Sequence, residues 1–323
     1  MSELEQWSFP EEMQPRPSEL RFDLGAALDA VVLLRSEVPE DAFTAQILGT
    51  ERAGSGVVIG DGLVLTIGYL ITEASTLWLT TNAGQAVAGH AMAYDQPSGF
   101  GLVQALGRLD APVLARGSAA ACAVGDSVIV AGHGGRAHAL EARIFARREF
   151  AGYWEYVLDD ALFTTPAHPL WGGAALIGAD GRLLGVGSLF VEEMVGERKV
   201  EGNMIVPIDL LEPILDDLVR SGRAKRPPRP WLGLYATELE GRLVVAGLAP
   251  GGPAAHAGLR VGDTVTEVGG EAVAGLADLF RKVWGLGAAG IEVPLTLARN
   301  GKRTQVGIAS IDRADLLKKP QLH

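Results

Sequence analysis

Serine and histidine side chains are the groups of this chain that could carry nucleophilic chemistry. In that chemistry a hydroxyl attacks a carbonyl carbon while an imidazole takes its proton. Such side chains stand at Ser55, Ser98, Ser188, His90, His133, His138 and His168. None forms a recognisable nucleophile–base spacing, although residues far apart in sequence can still meet in the fold. His168 is the most interesting, because it lies three residues before Trp171 in a glycine-flanked loop.

Thiol and metal chemistry have little support in the sequence. The single cysteine, Cys122, excludes an internal disulfide and a cysteine-based zinc cluster. It lies between two alanines, which favours a small buried apolar residue over a reactive thiol. Asp159-Asp160 is an isolated acidic pair and is expected at a turn or an exposed edge. We therefore predict no metal and no other cofactor.

Composition narrows the class of protein further. The chain has 323 residues and a formal net charge of −11, which argues against nucleic acid or an anionic membrane surface as a partner. It has no apolar run of 18 residues, so no membrane span is predicted. Residues 1–6 show neither a basic leader nor an apolar segment. This start predicts a cytoplasmic location, or a periplasmic one if a leader precedes residue 1.

Hydrophobic patterning divides the chain into five parts. Residues 1–23 form an irregular acidic arm, and residues 24–219 show short apolar strands at regular spacing, typical of one or two β-barrels. Residues 220–230 combine five basic residues with prolines and are predicted to be a stiffened linker. Residues 231–312 mix strands with one helical stripe and predict a small α+β domain. Residues 313–323 remain as a C-terminal tail.

Two sets of motifs resemble a known family. Pro230–Leu234 and the glycine-rich run from Ala249 to Asp263 resemble a PDZ domain of the bacterial kind. Upstream, the segment 54–66 resembles the first barrel of the HtrA-type trypsin-like serine proteases, and the segment 172–186 resembles the region around the nucleophile in their second barrel. The resemblance covers about residues 26–312. It implies a mainly β protein, a trypsin-like double β-barrel followed by a small α+β PDZ domain.

The resemblance also indicates where that family's catalytic groups would stand. Tyr69 occupies the position of the histidine base, Gly99 that of the aspartate and Trp171 that of the nucleophile. Pro169 occupies the position of a backbone N–H donor to the oxyanion, and proline has no N–H. On this alignment we predict no catalytic residue at these positions and a chain that is not an enzyme.

Tyr69 and Trp171 could instead have a new role at the centre of the cleft. Both replace smaller polar groups, and their rings could pack against each other and fill the old substrate site. An aromatic pocket for a ligand or peptide is the alternative. The sequence leaves both open.

The resemblance to PDZ domains implies peptide binding by strand addition. In such domains consecutive N–H groups of a loop hold the ligand's C-terminal carboxylate, and the ligand lies between that loop and a helix. The residues predicted to bind the peptide are Trp231, Leu232, Gly233, Leu234, Leu276, Leu279, Phe280 and Val283.

These features lead to one preferred function and two alternatives. We predict a non-catalytic pseudoprotease that binds C-terminal or extended peptide segments as an adaptor, scaffold or regulatory subunit, with an active protease homologue as one candidate partner. The alternatives are an active serine endopeptidase using residues not identified in the sequence, and a purely structural assembly protein. The resemblance to HtrA-type proteases implies a homotrimer formed through aromatic residues near the N-terminus, here Trp7, Phe9 and Phe22. An arm packed on its own chain is the alternative.

Overall fold

The chain folds mainly into strands. The computed structural model describes residues 7–319, apart from the side chain of Val195, so the predicted arm and tail lie partly outside the described residues. By their contacts these residues form two compact units. The first comprises the chain up to Arg148, Asp160–Lys225 and the segment from Lys318, and the second comprises Glu149–Asp159 and Arg226–Leu317.

The first unit contains two closed β-barrels. The strand order is β1-β2-β3-β6-β5-β4 in the first barrel and β10-β11-β12-β9-β8-β7 in the second. The strands of the first are β1 (Val31–Glu37), β2 (Glu51–Gly60), β3 (Leu63–Ile67), β4 (Thr76–Thr80), β5 (Ala86–Tyr94) and β6 (Phe100–Ala105). Those of the second are β7 (Ser127–Ala131), β8 (Ala139–Gly152), β9 (Tyr156–Thr165), β10 (Ala175–Ile177), β11 (Leu183–Val195) and β12 (Arg198–Pro207).

Short helices complete this unit. They are α1 (Leu24–Asp29), α2 (Ala45–Leu48) and α3 (Leu215–Ser221). Single 3₁₀ turns lie at Glu11–Met13, Pro17–Glu19, Gly68–Leu70, Gly135–His138 and Ile208–Leu210.

Glycines allow the two barrels to meet closely. The N–H of Ser55 in β2 donates to the carbonyl of Gly172 at 2.8 Å. Gly173 has a φ of 77°, and a Cβ atom there would lie 1.8 Å from the carbonyl oxygen of Ser55. Only glycine fits such an approach. The Gly172-Gly173 motif therefore joins the barrels at the cleft between them.

The second unit has a six-stranded sheet with the order β13-β14-β15-β17-β18, and β16 pairs with β15. Buried apolar side chains of the sheet and of α5 form its core, together with Val157 from the hairpin between β8 and β9. Its elements are β13 (Leu234–Leu239), β14 (Arg242–Leu248), α4 (Pro253–His256), β15 (Thr264–Val268), β16 (Glu271–Ala272), α5 (Leu276–Gly285), β17 (Glu292–Arg299), β18 (Lys302–Ala309) and a 3₁₀ turn at Arg313–Leu316.

The observed architecture confirms the predicted fold class, a trypsin-like double β-barrel followed by a PDZ domain. The division of the chain differs from the prediction at two places. The segment Glu149–Asp159 was assigned to the double barrel but packs with the PDZ domain, and Lys318 returns to the first unit, where its N–H donates to the carboxylate of Glu73 at 2.9 Å. Among residues 7–319, no helix has the length and apolar character needed to cross a membrane.

Candidate functional site

Tyr69 lies in the 3₁₀ turn that follows β3, at the cleft between the barrels. Its hydroxyl donates to the carbonyl of Ser188 at 2.8 Å. Burial raises the pKa of Tyr69 well above its ordinary value, and a hydrogen bond with the Trp171 side chain partly offsets this effect. The phenol is therefore a neutral hydrogen-bond donor within the cleft wall.

The other three positions that the resemblance singled out lie in nearby loops. Trp171 is partly buried, and its ring lies 5.7 Å from that of Phe190, centroid to centroid. Gly99 is buried with a φ of 84°, a conformation that favours glycine. Pro169 is exposed. That these positions correspond to catalytic groups stays a prediction, as does the pairing of the Tyr69 and Trp171 rings.

A buried carboxylate stands close to Gly99 in sequence. Asp95 accepts hydrogen bonds from the N–H of Ser98 at 3.0 Å and from its hydroxyl at 2.7 Å. Both side chains are buried. The pair closes the loop between β5 and β6, so the Ser98 hydroxyl is held by a neighbour in its own turn.

His168 is fixed as a neutral imidazole. Its Nδ1 accepts the N–H of Leu170 at 3.1 Å, and its Nε2 lies 3.0 Å from the carbonyl of His138. A ring that accepts at Nδ1 must carry its proton on Nε2, so both nitrogens are engaged. Burial lowers the pKa of His168 to about 4. Ser55 lies near this ring, and its Oγ accepts the N–H of His133 at 3.1 Å.

The remaining candidate residues have structural surroundings. Cys122 is half-buried, not fully buried as predicted, and burial raises the pKa of its thiol. Asp160 pairs with Arg147 and Asp159 with Arg281, both at the surface. Among residues 7–319, no group of three or more His, Cys, Asp or Glu side chains could hold a metal ion.

The N-terminal arm packs on its own chain. The N–H of Phe9 donates to the carbonyl of Ala137 at 2.9 Å, and its ring lies 5.1 Å from that of His168. The Trp7 ring lies 4.7 Å from that of His138. These contacts correspond to the second of the two arrangements open from the sequence, and a homotrimer stays a prediction.

Backbone hydrogen bonds and one glycine fix the conformation of the loop Trp231–Leu234. Trp231 pairs with Ile311 through two backbone hydrogen bonds, and the carbonyl of Leu232 accepts the N–H of Ala254 at 2.8 Å. Gly233 has a φ of 69°, which turns the backbone sharply between two extended segments. The backbone N–H groups of Leu232, Gly233 and Leu234 take no part in these contacts.

One carboxylate accepts all three of these N–H groups. Glu155 accepts from Gly233 at 2.7 Å and from Leu232 and Leu234 at 3.1 Å. Glu155 belongs to the tight turn 153–155 between β8 and β9, and it is only 4 % exposed. We call this loop with its three N–H groups the carboxylate cradle. It binds a carboxylate from within the same unit of the chain.

Two features show that this contact has a cost. Burial raises the pKa of Glu155 to about 7, although the three N–H groups and the charge of Arg313 act in the opposite direction. Glu155 also has a φ of 62°, a left-handed conformation that glycine usually supplies in a three-residue hairpin turn. For a side chain with a Cβ, this conformation costs about 1–2 kcal/mol. The cradle contact offsets both costs.

All eight residues predicted to bind a peptide are buried. For example, Leu232 is 2 % exposed and Leu279 is 0 % exposed. The hairpin that carries Glu155 reaches both elements expected to flank a ligand. The ring of Tyr153 lies 6.0 Å from that of Tyr235 in β13, and Arg281 of α5 pairs with Glu149 and Asp159 at the hairpin's base.

Sequence reasoning missed Glu155. It lies 77 residues before Leu232 and belongs to no motif of either domain. One local signal existed: the turn Tyr153-Trp154-Glu155 has glutamate where the left-handed position of such a turn favours glycine. A residue that departs from such a local preference often has a functional role or a tertiary contact.

Comparison with known proteins agrees with this architecture. The trypsin-like peptidase domain family matches residues 54–186, and the PDZ domain family matches residues 230–309. The chain therefore has the domain organisation of a trypsin-like peptidase with a PDZ domain. Its fold is similar to that of solved HtrA-type proteases.

Individual relatives support this statement. A probable periplasmic serine endoprotease DegP-like of Halomonas elongata is 25 % identical over 282 residues, covering 82 % of this chain and 57 % of the relative. The periplasmic serine endoprotease DegP of Salmonella typhimurium is 24 % identical over 275 residues, covering 79 % and 56 %. The chain thus spans just over half the length of these relatives.

Solved structures show the same fold. The HtrA-type protease AlgW with a decapeptide matches with a TM-score of 0.54 at 18 % identity, covering 93 % of this chain and 100 % of that one. The serine endoprotease from Yersinia pestis matches with a TM-score of 0.53 at 21 % identity, covering 91 % and 99 %.

Two predictions are contradicted by these comparisons. The relatives that cover most of this chain are named serine endoproteases, which contradicts the prediction that the chain is not an enzyme. The same relatives are named periplasmic, which contradicts the predicted cytoplasmic location. Both predictions relied on local sequence features, four positions in one case and the first residues in the other.

Because His168 is neutral in the folded chain, we expect the free energy of unfolding to fall at acidic pH. Because its pKa falls from 6.5 to about 4 on folding, the stability it contributes is present above pH 6.5 and is lost between pH 6.5 and 4. The loss amounts to about 3 kcal/mol. Chemical denaturation of the His168→Gln variant should show a flatter fall in unfolding free energy over this range than the parent chain. His90→Gln, at a partly exposed position in β5, is the control. Equal slopes in parent and His168→Gln would contradict this account.

Proposed function

We propose that this HtrA-like chain binds polypeptide segments by holding a carboxylate group in the cradle of its PDZ domain. The observation that supports the proposal is the contact of Glu155 with the N–H groups of Leu232, Gly233 and Leu234. In this contact the three N–H groups donate to one carboxylate at 2.7–3.1 Å. Consecutive N–H groups in a tight loop favour an anion over a neutral group.

The elements beside the cradle support an extended ligand. β13 is the edge strand of its sheet and begins at Leu234, where the cradle ends. An edge strand can pair with an added peptide strand, while α5 flanks the other side as the resemblance implies. A C-terminal peptide segment would place its terminal carboxylate in the cradle and its backbone along β13. The chain would then act as an adaptor or regulatory subunit for the proteins that carry such segments.

Endopeptidase activity is the second candidate function. It is supported by the names of the relatives, and because the chain spans just over half their length, it requires measurement on this chain. We also propose that Tyr69, Gly99 and Trp171 occupy the positions of base, aspartate and nucleophile in those proteases, and Pro169 that of an oxyanion donor. This assignment concerns the four positions, and it leaves peptide hydrolysis by the chain to experiment.

If the cradle binds a carboxylate, the affinity for a peptide should depend strongly on whether its C-terminus is free. A fluorescent mixture of random decapeptides with free C-termini should bind the full chain at least about 10-fold more tightly than the amidated mixture, because charge-assisted hydrogen bonds are lost on amidation. Fluorescence anisotropy measures both. Gly233→Ala should weaken binding by a similar factor, since its Cβ would lie 2.9 Å from the Trp231 ring.

Gly241→Ala is the matched control for this measurement. Gly241 has a φ of 71°, close to that of Gly233, and a Cβ there would meet no atom within 4 Å. Its binding should equal that of the parent. Equal affinity for free and amidated peptides would contradict the proposed carboxylate site.

The assignment of positions predicts a gain of reactivity. The combined change Tyr69→His, Pro169→Gly and Trp171→Ser should raise labelling by a serine-directed fluorophosphonate about 10²-fold over the parent, since the aspartate of a triad contributes only part of its effect. Gly99 is left unchanged, because aspartate at a φ of 84° would be strained.

The same chain without Trp171→Ser is the control and should label as the parent does. Peptide mapping must place the new label at residue 171. A folded variant, judged by circular dichroism, that gains no label would contradict the assignment of these positions.

A further inference from the structure

Glu155 stands where the proposed ligand would place its carboxylate. Both groups are carboxyls with the same acceptor oxygens, and the cradle has three N–H groups to offer. A peptide and Glu155 cannot both accept these hydrogen bonds. Peptide binding in the cradle therefore requires that the Glu155 side chain leave it.

We infer that the hairpin segment Glu149–Asp159 is an intramolecular ligand of the PDZ domain, which closes the peptide-binding groove until a carboxylate-bearing peptide displaces it. This inference rests on the proposed function and names its regulation. The hairpin's Glu155 takes the carboxylate position, and the hairpin's other residues contact the two elements between which a peptide would lie.

Contacts beyond the cradle show that the hairpin covers the groove walls. Tyr153 contacts Tyr235, the second residue of β13, ring to ring at 6.0 Å. On the opposite wall Arg281 of α5 pairs with Glu149 at 2.6 Å and with Asp159. Val157 is part of the buried apolar core of this unit, with Ala151 packed against it. The hairpin thus touches β13, α5 and the cradle loop.

Two of the contacts that hold the hairpin are weak or strained. Its ion pairs with Arg281 are exposed, and exposed pairs contribute little to stability. The conformation of Glu155 is strained, with a φ of 62° at a residue that has a Cβ. A peptide terminus would make the same hydrogen bonds without this strain. Such a ligand competes by mass action, and the closed fraction of the chain reduces its apparent affinity.

An unpartnered donor stands close to the cradle. The Nη1 atom of Arg313 is buried and has no hydrogen-bond partner among the described residues. The charge of Arg313 acts on Glu155 and on Tyr235. A donor left unsatisfied beside a carboxylate site is one that a larger ligand could use.

Glycine at position 155 gives the sharpest test. Glu155→Gly removes the carboxylate and suits the left-handed turn, so the hairpin keeps its conformation. Glu240→Gly is its matched control, because Glu240 also has a positive φ, 51°, lies in the same unit and is exposed. Thermal unfolding should show both variants folded.

Anisotropy with the free-terminus decapeptide mixture then measures the affinity of the full chain. We expect Glu155→Gly to bind at least 10-fold more tightly than the parent and Glu240→Gly to bind as the parent does. Equal affinity of all three, with preference for free over amidated peptides, would overturn the inference and leave the proposed function standing. No binding by any of them, with either peptide mixture, would overturn both.

Discussion

Three backbone N–H groups in a tight loop need an acceptor, and much of this structure follows from how that need is met. The loop Trp231–Leu234 is fixed by backbone hydrogen bonds of Trp231 and Leu232, so its three N–H groups keep their direction. Buried donors without partners are costly, and a single carboxylate from residue 155 satisfies all of them. The hairpin that carries this carboxylate consequently packs with the PDZ domain although its strands begin in the second barrel.

Several polar side chains at the cleft between the barrels also have hydrogen-bond partners within the chain. His168 uses both ring nitrogens, Tyr69 donates to a backbone carbonyl and Asp95 accepts from Ser98. Each of these hydrogen bonds joins two groups of the same unit, and the Oγ of Ser55 accepts the backbone N–H of His133.

Much of the fold could be predicted because its signals are local. The segment 172–186 resembles the region around the nucleophile of HtrA-type proteases, and the run from Ala249 to Asp263 resembles part of a PDZ domain. Glu155 could not be predicted in the same way, since its partners lie 77–79 residues further along the chain and the pairing depends on tertiary geometry. The predictions on activity and location were contradicted because a few positions were weighed more heavily than the similarity of the whole chain.

Hydrogen exchange of the backbone amides tests the central contact most directly. In the full chain, the amides of Leu232, Gly233 and Leu234 should exchange slowly, and in Glu155→Gly they should exchange at least about 10-fold faster, because their acceptor is gone. Adding the free-terminus decapeptide mixture to that variant should slow the same three amides again. Exchange rates at these amides that are equal in the parent chain and in Glu155→Gly would contradict the account.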